Sequence, residues 1–288
     1  MPRERAHLMF AALSANLGQV TGDFSGKILC PLCLQPMPED WIDLKEPRIT
    51  EEHIIPETLG GTVVTLTCKK CNSTHGTQLD SHLIQMIRSH DSLAGAGAKP
   101  LFGRMHLGGK PLPIDINLNA ATKTIEFKMR RGHPSVPDLV REFFRDNPPT
   151  PDNPVSIGFE GTLGYIPCRA THAILRIGYL AAFRQWGYGY ILSPAAQVIR
   201  RIIADYENPP RELGRIVLRN VSPSPTRSLQ FVLFNGGLAV LVVMRLIAEA
   251  VPYHYGVFMP SRMLDPDKVL YTLADAAEVL RQRRPAAT

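Results

Sequence analysis

Two Cys-x-x-Cys pairs constrain this 288-residue chain more than any other feature of its sequence. The pairs are Cys30/Cys33 and Cys68/Cys71, with 34 residues between them. Two residues between paired cysteines let both thiolates turn toward one ion, and two such pairs complete a closed tetrahedral S4 site. A catalytic zinc keeps one coordination position open, so the pattern predicts a structural zinc on these four cysteines.

The segment that contains these pairs, residues 28–76, has few large apolar side chains. A segment this short gains little stability from hydrophobic burial. A structural zinc supplies roughly 10 kcal/mol or more of folding free energy. We therefore expect the ion to replace a hydrophobic core in this part of the chain.

The N-terminus and the fifth cysteine bear on the cellular compartment. Arg3, Glu4 and Arg5 precede only a short apolar run, which does not predict a signal peptide. In a reducing compartment, paired Cys-x-x-Cys motifs more often hold metal than disulfides, so we expect a cytoplasmic protein with Cys168 in its core. The longest apolar stretch, 231–244, is too short for a membrane helix, and we expect no membrane partner.

The composition is that of a globular protein, with 44% hydrophobic and 20% charged residues. The formal net charge is +6, and it is unevenly distributed. Residues 1–100 contain 9 basic and 11 acidic side chains, whereas residues 101–288 contain 23 and 15. A basic C-terminal part is compatible with a polyanionic partner such as nucleic acid, and equally with a solvated surface.

Residues able to hydrolyse a phosphodiester lie between and just after the cysteine pairs. The sequence reads EEHIIP at 51–56, LGG at 59–61 and NSTHG at 72–76. An imidazole has a pKa near neutrality and can take a proton from water, and His53 supplies such a group. The carboxylate of Glu52 and the amide oxygen of Asn72 are hard ligands that suit Mg²⁺ or Mn²⁺. His75, three residues beyond Asn72, lies on the same face of a helix.

Over residues 28–85 the pattern resembles the HNH nuclease superfamily, in particular the zinc-bearing branch that includes recombination endonuclease VII. The resemblance implies a ββα-metal finger, with Glu52 and His53 on a hairpin and Asn72 and His75 on a helix. It implies that His53 is the general base and that Glu52 and Asn72 bind the catalytic Mg²⁺ or Mn²⁺. His75 becomes either a third ligand or a contact to the scissile phosphate.

Three functional interpretations follow. The first is an endonuclease that cleaves nucleic acid, with DNA favoured over RNA, in which Lys69 and Lys70 contact phosphates or form a solvated knuckle tip. The second is a non-catalytic zinc module that binds nucleic acid or protein. The third is an HNH effector controlled by a C-terminal sensor domain.

The rest of the chain predicts an α+β fold with a domain boundary near residues 92–98, which read SLAGAGA. We expect an HNH domain over 1–95 and a separate α+β domain over 96–288 with an antiparallel or mixed sheet. Residues 172–186 have the apolar periodicity of a helix. Strands at 229–234 and 238–244 flank Asn235-Gly236, a typical hairpin turn. Both strands are apolar on both faces, so we expect them in the middle of a covered sheet.

Overall fold

The computed structural model describes residues 3–22, 26–97, 99–107, 110–129, 136–148, 158–162, 164–221, 229–234 and 237–282. Helices and antiparallel sheets are mixed along the chain, which confirms the predicted α+β class. The helices are α1 (Arg3–Thr21), α2 (Lys69–His75), α3 (Ser81–Leu93), α4 (Val136–Asp146), α5 (Pro167–Trp186), α6 (Tyr188–Ile191), α7 (Pro194–Ala204) and α8 (Val269–Gln282).

The strands are short in the N-terminal region and longer toward the C-terminus. They are β1 (Lys27–Leu29), β2 (Pro36–Pro38), β3 (Ile49–His53), β4 (Val64–Cys68), β5 (Leu101–Leu107), β6 (Lys110–Asn119), β7 (Thr124–Met129), β8 (Gly158–Thr162), β9 (Val217–Arg219), β10 (Leu229–Phe234), β11 (Gly237–Leu246) and β12 (Tyr253–Pro260). Within the described residues, no helix is long and apolar enough to cross a membrane.

The chain forms two compact units that differ from the expected division at residue 95. The larger unit combines residues 1–84 with 166–247 and 252–288, and the smaller unit combines 85–165 with 248–251. The chain thus leaves the larger unit twice, after residues 84 and 247, and returns to it each time. The cysteine-rich segment shares its unit with most of the C-terminal residues. Several of its apolar side chains are fully buried there, among them Ile28, Met37 and Ile49, so the expectation that zinc replaces a hydrophobic core in this segment is wrong.

Helix α5 is the central element of the larger unit. It begins at Pro167, where the missing N–H of proline costs nothing, and ends at Trp186, before Gly187, which has a φ of 63°. A side chain at Gly187 would collide with Asn16 Oδ1, 2.1 Å from an added Cβ. The helix is buried along most of its length. The predicted helix at 172–186 is confirmed, and it begins one turn earlier.

A four-stranded antiparallel sheet in the order β10-β11-β12-β9 belongs to the same unit. The predicted hairpin arms pair as β10 and β11, while the turn at Asn235-Gly236 lies outside the described residues. Strand β11 is buried as expected. Strand β10 instead forms an edge of the sheet, where Phe231 and Leu233 are 64% and 80% exposed. The expectation that both arms lie in the middle of the sheet is therefore wrong for β10.

The smaller unit contains a second antiparallel sheet, in the order β7-β6-β5-β8. Its small apolar core forms around Leu112, against which Met105, Met129, Val140 and Phe143 pack. Asp91 belongs to this unit and is fully buried. Its carboxylate accepts hydrogen bonds from the backbone N–H groups of residues 249 and 251, which fixes that short segment in the unit.

Candidate functional site

The four cysteines of the two pairs converge on one point. Their sulfur atoms all lie within 4.8 Å of one another, and none forms a disulfide. The Cys33 and Cys68 sulfurs are 3.8 Å apart. Four sulfurs at about 2.3 Å from a tetrahedral zinc would be about 3.8 Å apart. Cys30, Cys33, Cys68 and Cys71 therefore fit the predicted structural zinc.

The first knuckle is shaped by a tight turn between β1 and β2. Leu34 has a φ of 60°, a left-handed conformation that is uncommon for a residue other than glycine. Its N–H donates to the Cys30 carbonyl at 2.8 Å, and the Cys30 N–H donates to the Gln35 carbonyl at 3.0 Å. These bonds close the turn and aim both thiols of the pair in the same direction.

The second knuckle lies where β4 ends and α2 begins. The Cys68 sulfur accepts from the Cys71 N–H at 3.4 Å, so it caps the helix, and the Cys30 sulfur accepts from the Cys68 N–H at 3.5 Å. Hydrogen bonds among the clustered thiols, foremost with Cys30, lower the pKa of Cys68 to about 7 and also lower the pKa of Cys33. Hydrogen bonds to the other thiols raise the pKa values of Cys30 and Cys71, so two of the four thiols ionise more readily than the other two.

Two buried tyrosines connect the first knuckle to helices α5 and α6. The Tyr188 hydroxyl donates to the Leu29 carbonyl at 2.7 Å and accepts from the Leu29 N–H at 3.0 Å. The Tyr179 hydroxyl donates to the Pro31 carbonyl at 3.1 Å. The cysteine-rich segment is thus built into the larger unit and is not a free-standing finger.

The hairpin β3–β4 carries the predicted catalytic pair. Its register places Glu52 opposite Thr65 and His53 opposite Val64. Successive side chains of a strand point to opposite faces, so Glu52 and His53 diverge. Glu52 is only 3% exposed, whereas His53 is half-buried. Within the described part of the chain, the His53 imidazole has no hydrogen-bond partner, so it is available to a ligand from solvent.

The loop after His53 explains the glycine pair of the motif. Gly60 has a φ of 83°, and an added Cβ at Gly61 would lie 1.7 Å from the Ile55 carbonyl oxygen. Only glycine fits the second position, because the backbone of Ile55 passes directly over it. The two glycines therefore hold the loop against the residues that follow His53.

Arg176 of helix α5 binds the Glu52 carboxylate. The guanidinium Nη1 donates to Glu52 Oε1, and Nη2 donates to both oxygens of Asp80 at 2.6 and 2.7 Å. Arg176 is completely buried. Burial raises the pKa values of Glu52 and Asp80 although Arg176 lowers them, and the two carboxylates raise the pKa of Arg176 against the opposing effect of burial. The three side chains form a buried ion cluster, which we call the Arg176 triad.

Asn72 and His75 lie on the helix that follows the second knuckle. The Asn72 amide donates to the Thr50 hydroxyl and to the Glu51 carbonyl, both at 3.0 Å, so it braces α2 against β3. His75 is 7% exposed, and its buried Nδ1 has no hydrogen-bond partner. Burial, aided by the charge of Arg176, lowers the pKa of His75 to about 4 and keeps the imidazole neutral.

The residues predicted to hold a catalytic divalent metal do not fit that role in this arrangement. The Glu52 carboxylate is bonded to a cation, and the Asn72 amide faces Thr50 and Glu51. In the described ranges, the four cysteines are the one group of three or more His, Cys, Asp or Glu side chains placed to hold an ion. The structure therefore brings Glu52 and His75 into the neighbourhood of Arg176 and gives no open ligand set.

Sequence reasoning missed Arg176 and Asp80. The available signal was an arginine within the apolar run of α5, between Leu175 and Ile177, because such a charge must find partners when the helix is buried. The predicted phosphate contacts, Lys69 and Lys70, are exposed in the first turn of α2, and the Lys69 Nζ lies 3.8 Å from Glu46.

Residues 41–88 match a family model described as HNH endonuclease. The match covers the hairpin, the second knuckle and the helix that follows it, and it does not reach Arg176. No curated protein and no solved structure matches the chain. The HNH assignment is confirmed for this segment, and the closer likeness to the endonuclease VII branch remains a prediction.

Proposed function

Starting from the HNH match over residues 41–88, we propose that this chain is an endonuclease that hydrolyses phosphodiester bonds of nucleic acid, with DNA as the favoured substrate. His53 acts as the general base. The observation that carries the proposal is that His53 stands within the matched segment on β3, half-buried and without a hydrogen-bond partner in the described residues.

The chemistry assigned to His53 is proton removal. A neutral imidazole nitrogen accepts a proton from a water molecule as the water oxygen attacks phosphorus, and the bond to the leaving oxygen breaks. Because His53 points away from the Arg176 triad, its imidazole is not held by the buried carboxylates. The glycine pair fixes the loop beside it, which supports a defined position for the base.

Substrate attraction has an electrostatic basis in the same segment. Lys69 and Lys70 are exposed and follow directly after a zinc cysteine, and the whole chain has a net charge of +6. Lysines at such positions neutralise backbone phosphates without reading sequence. We propose that they contact the phosphates that flank the scissile bond.

The structural zinc and the catalytic divalent ion differ in whether the residues assigned to them are free to bind a metal. Zinc on Cys30, Cys33, Cys68 and Cys71 would supply structural stability and no step of the reaction. A divalent Mg²⁺ or Mn²⁺ would supply charge stabilisation in a nuclease of this family, but the side chains assigned to it are engaged elsewhere. We therefore derive no step through that ion.

A second candidate function is a zinc-stabilised module that binds nucleic acid or protein without cleaving it. The Arg176 triad favours this alternative, because it neutralises the acid that the HNH resemblance assigns to catalysis. The smaller compact unit, residues 85–165 with 248–251, is the candidate for a sensor or partner-binding role in the third interpretation.

A plasmid-nicking assay tests the proposal. Zinc-loaded protein is incubated with supercoiled DNA, single-stranded DNA and RNA, with Mg²⁺, Mn²⁺ or no added divalent ion. We expect His53→Ala to lower cleavage by roughly 100-fold or more, the scale for losing a positioned base, with unchanged zinc content and circular dichroism.

The matched control is His106→Ala, which removes a partly exposed histidine from the smaller unit and should leave the rate unchanged. Equal loss in both variants would remove His53 from the mechanism. Absence of cleavage by the wild-type protein on all three substrates would favour the non-catalytic module.

A further inference from the structure

We infer that Arg176 is the permanent cationic partner of Glu52, the acidic residue of the HNH motif: its guanidinium pairs with Glu52 and Asp80, so these two carboxylates do not bind a divalent metal in the native protein. The inference contradicts the metal-ligand role that the HNH resemblance implies for Glu52. The inference concerns which cation pairs with Glu52, and it does not depend on whether the chain cleaves nucleic acid.

The geometry of the triad is that of a built site. A guanidinium presents its N–H groups in a planar fork that matches carboxylate oxygens. Here one arm of the fork reaches Glu52 on β3, and the other holds both oxygens of Asp80. The three residues come from separate parts of the larger unit: strand β3, the π-helical segment Gly76–Asp80 that joins α2 to α3, and helix α5.

Charge supports the same conclusion. One guanidinium and two carboxylates carry a net charge of −1, and the nearby His75 is neutral. A divalent ion bound at Glu52 would lie within a few ångströms of the guanidinium, and the two cations would repel each other in an environment that excludes water. Metal and arginine therefore compete for the same carboxylates.

Arg176 cannot leave easily to admit a metal. It lies in the middle of α5, it is fully buried, and its neighbours Leu175 and Ile177 are buried as well. Withdrawing the guanidinium would require moving the central helix of the unit or exposing the charge to apolar side chains. The other assigned ligand, Asn72, already uses its amide to brace β3.

The test measures Mn²⁺ binding rather than cleavage. Zinc-loaded protein is titrated with Mn²⁺ while the thermal midpoint is followed by tryptophan fluorescence, and bound Mn²⁺ is counted by electron paramagnetic resonance. The only two tryptophans, Trp41 and Trp186, both belong to the larger unit, so the fluorescence reports on that unit. We expect no shift and no bound Mn²⁺ for the wild type, and the same for Arg176→Lys, which keeps a cation.

Arg176→Met frees the two carboxylates and should gain one bound Mn²⁺ per chain with a rising midpoint. Adding Glu52→Gln to that variant should abolish the gain. The matched control, Arg184→Met, places the same substitution on an exposed position of α5 and should behave like the wild type.

Wild-type protein that binds one Mn²⁺, lost on Glu52→Gln, would overturn the inference. A folded Arg176→Met variant that binds no Mn²⁺ would also overturn the inference. If Arg176→Met does not fold, the wild type and Arg176→Lys decide: Mn²⁺ binding by either that Glu52→Gln abolishes overturns the inference, and the absence of such binding supports it. Loss of nicking activity by His53→Ala affects none of these outcomes.

Discussion

Replacing Arg176 with Met should destabilise the larger unit strongly at neutral pH in the absence of added divalent ions. The substitution removes three charge-assisted hydrogen bonds and leaves Glu52 and Asp80 buried without a counter-ion. Breaking a buried pair by removing one partner typically costs about 3–5 kcal/mol. Burial of Arg176 is complete, so solvent does not screen the loss.

The free energy needed to protonate a buried carboxyl group is of similar magnitude. The folded variant can escape the buried charge by protonating a carboxyl group. The ordinary pKa values of Glu52 and Asp80 are 4.5 and 3.8. At 1.36 kcal/mol per pH unit, holding either group protonated at pH 7 costs about 3–4 kcal/mol. Protonation of one carboxyl group therefore limits the expected cost to the same range.

The destabilisation caused by Arg176→Met should be larger at high pH than at low pH. Burial already raises the folded-state pKa of both carboxyl groups in the wild type, and removal of Arg176 raises it further. A carboxyl group with a raised folded-state pKa binds its proton more tightly in the folded state, so its stabilising contribution is present at low pH. That contribution is lost as pH rises through the folded-state pKa. The cost of the substitution should accordingly shrink by about 1.4 kcal/mol per pH unit for each carboxyl group that protonates.

The assay is urea unfolding followed by tryptophan fluorescence at pH 7 and pH 5.5, with wild type and variant compared in the same zinc-containing buffer. The control variant also carries Glu52→Gln and Asp80→Asn, which removes both buried charges and should recover most of the loss at pH 7. A cost below about 1 kcal/mol at pH 7, or a cost that does not change with pH, would refute the reasoning.

The four-cysteine site and its hydrogen bonds to the rest of the larger unit support two further predictions. Removing zinc with a chelator should unfold that unit as a whole, because the ion supplies roughly 10 kcal/mol, comparable with the total stability of a domain. Hydrogen exchange of the α5 amides measures this, and protection of α5 that survives zinc removal would indicate an independent finger. Tyr188→Phe should cost about 1–3 kcal/mol, because it leaves the buried N–H and carbonyl of Leu29 without their partner. Tyr271→Phe, at a position 64% exposed, is the control and should change the unfolding free energy by less than about 0.5 kcal/mol. An equal effect of the two substitutions would contradict the assigned hydrogen bonds.

Local sequence patterns predicted the parts of the protein that local geometry controls. The spacing of Cys30, Cys33, Cys68 and Cys71 was sufficient to identify the metal centre, because two intervening residues fix the direction of each thiol pair. The apolar period of 172–186 predicted α5, and the apolar runs around 235–236 predicted the pairing of β10 with β11. The HNH pattern identified the segment that the family comparison confirmed.

Local sequence patterns did not predict where a strand lies within its sheet or which compact unit a segment belongs to. An apolar composition does not show whether a strand lies in the middle of a sheet or at its edge, because that depends on which strands pair with it. Strand β10 lies at the edge although it is apolar on both faces. The alanine- and glycine-rich break near residues 92–98 predicted a boundary between two parts. The chain instead returns to the larger unit after residue 165, where buried apolar side chains of α5, of the sheet β10-β11-β12-β9 and of the cysteine-rich segment lie in one unit.

The amino-acid sequence by itself determined a four-cysteine cluster that fits zinc, an HNH segment, and the alternation that turns Glu52 and His53 to opposite faces of one strand. Only the tertiary structure decided what Glu52 contacts. Its partner Arg176 is 124 residues away along the chain, and no spacing or period links the two positions. A buried charge must be paired, but the identity of the partner depends on which helix packs beside it. In this protein that helix is α5, and its arginine takes the carboxylate that the sequence alone had assigned to a metal.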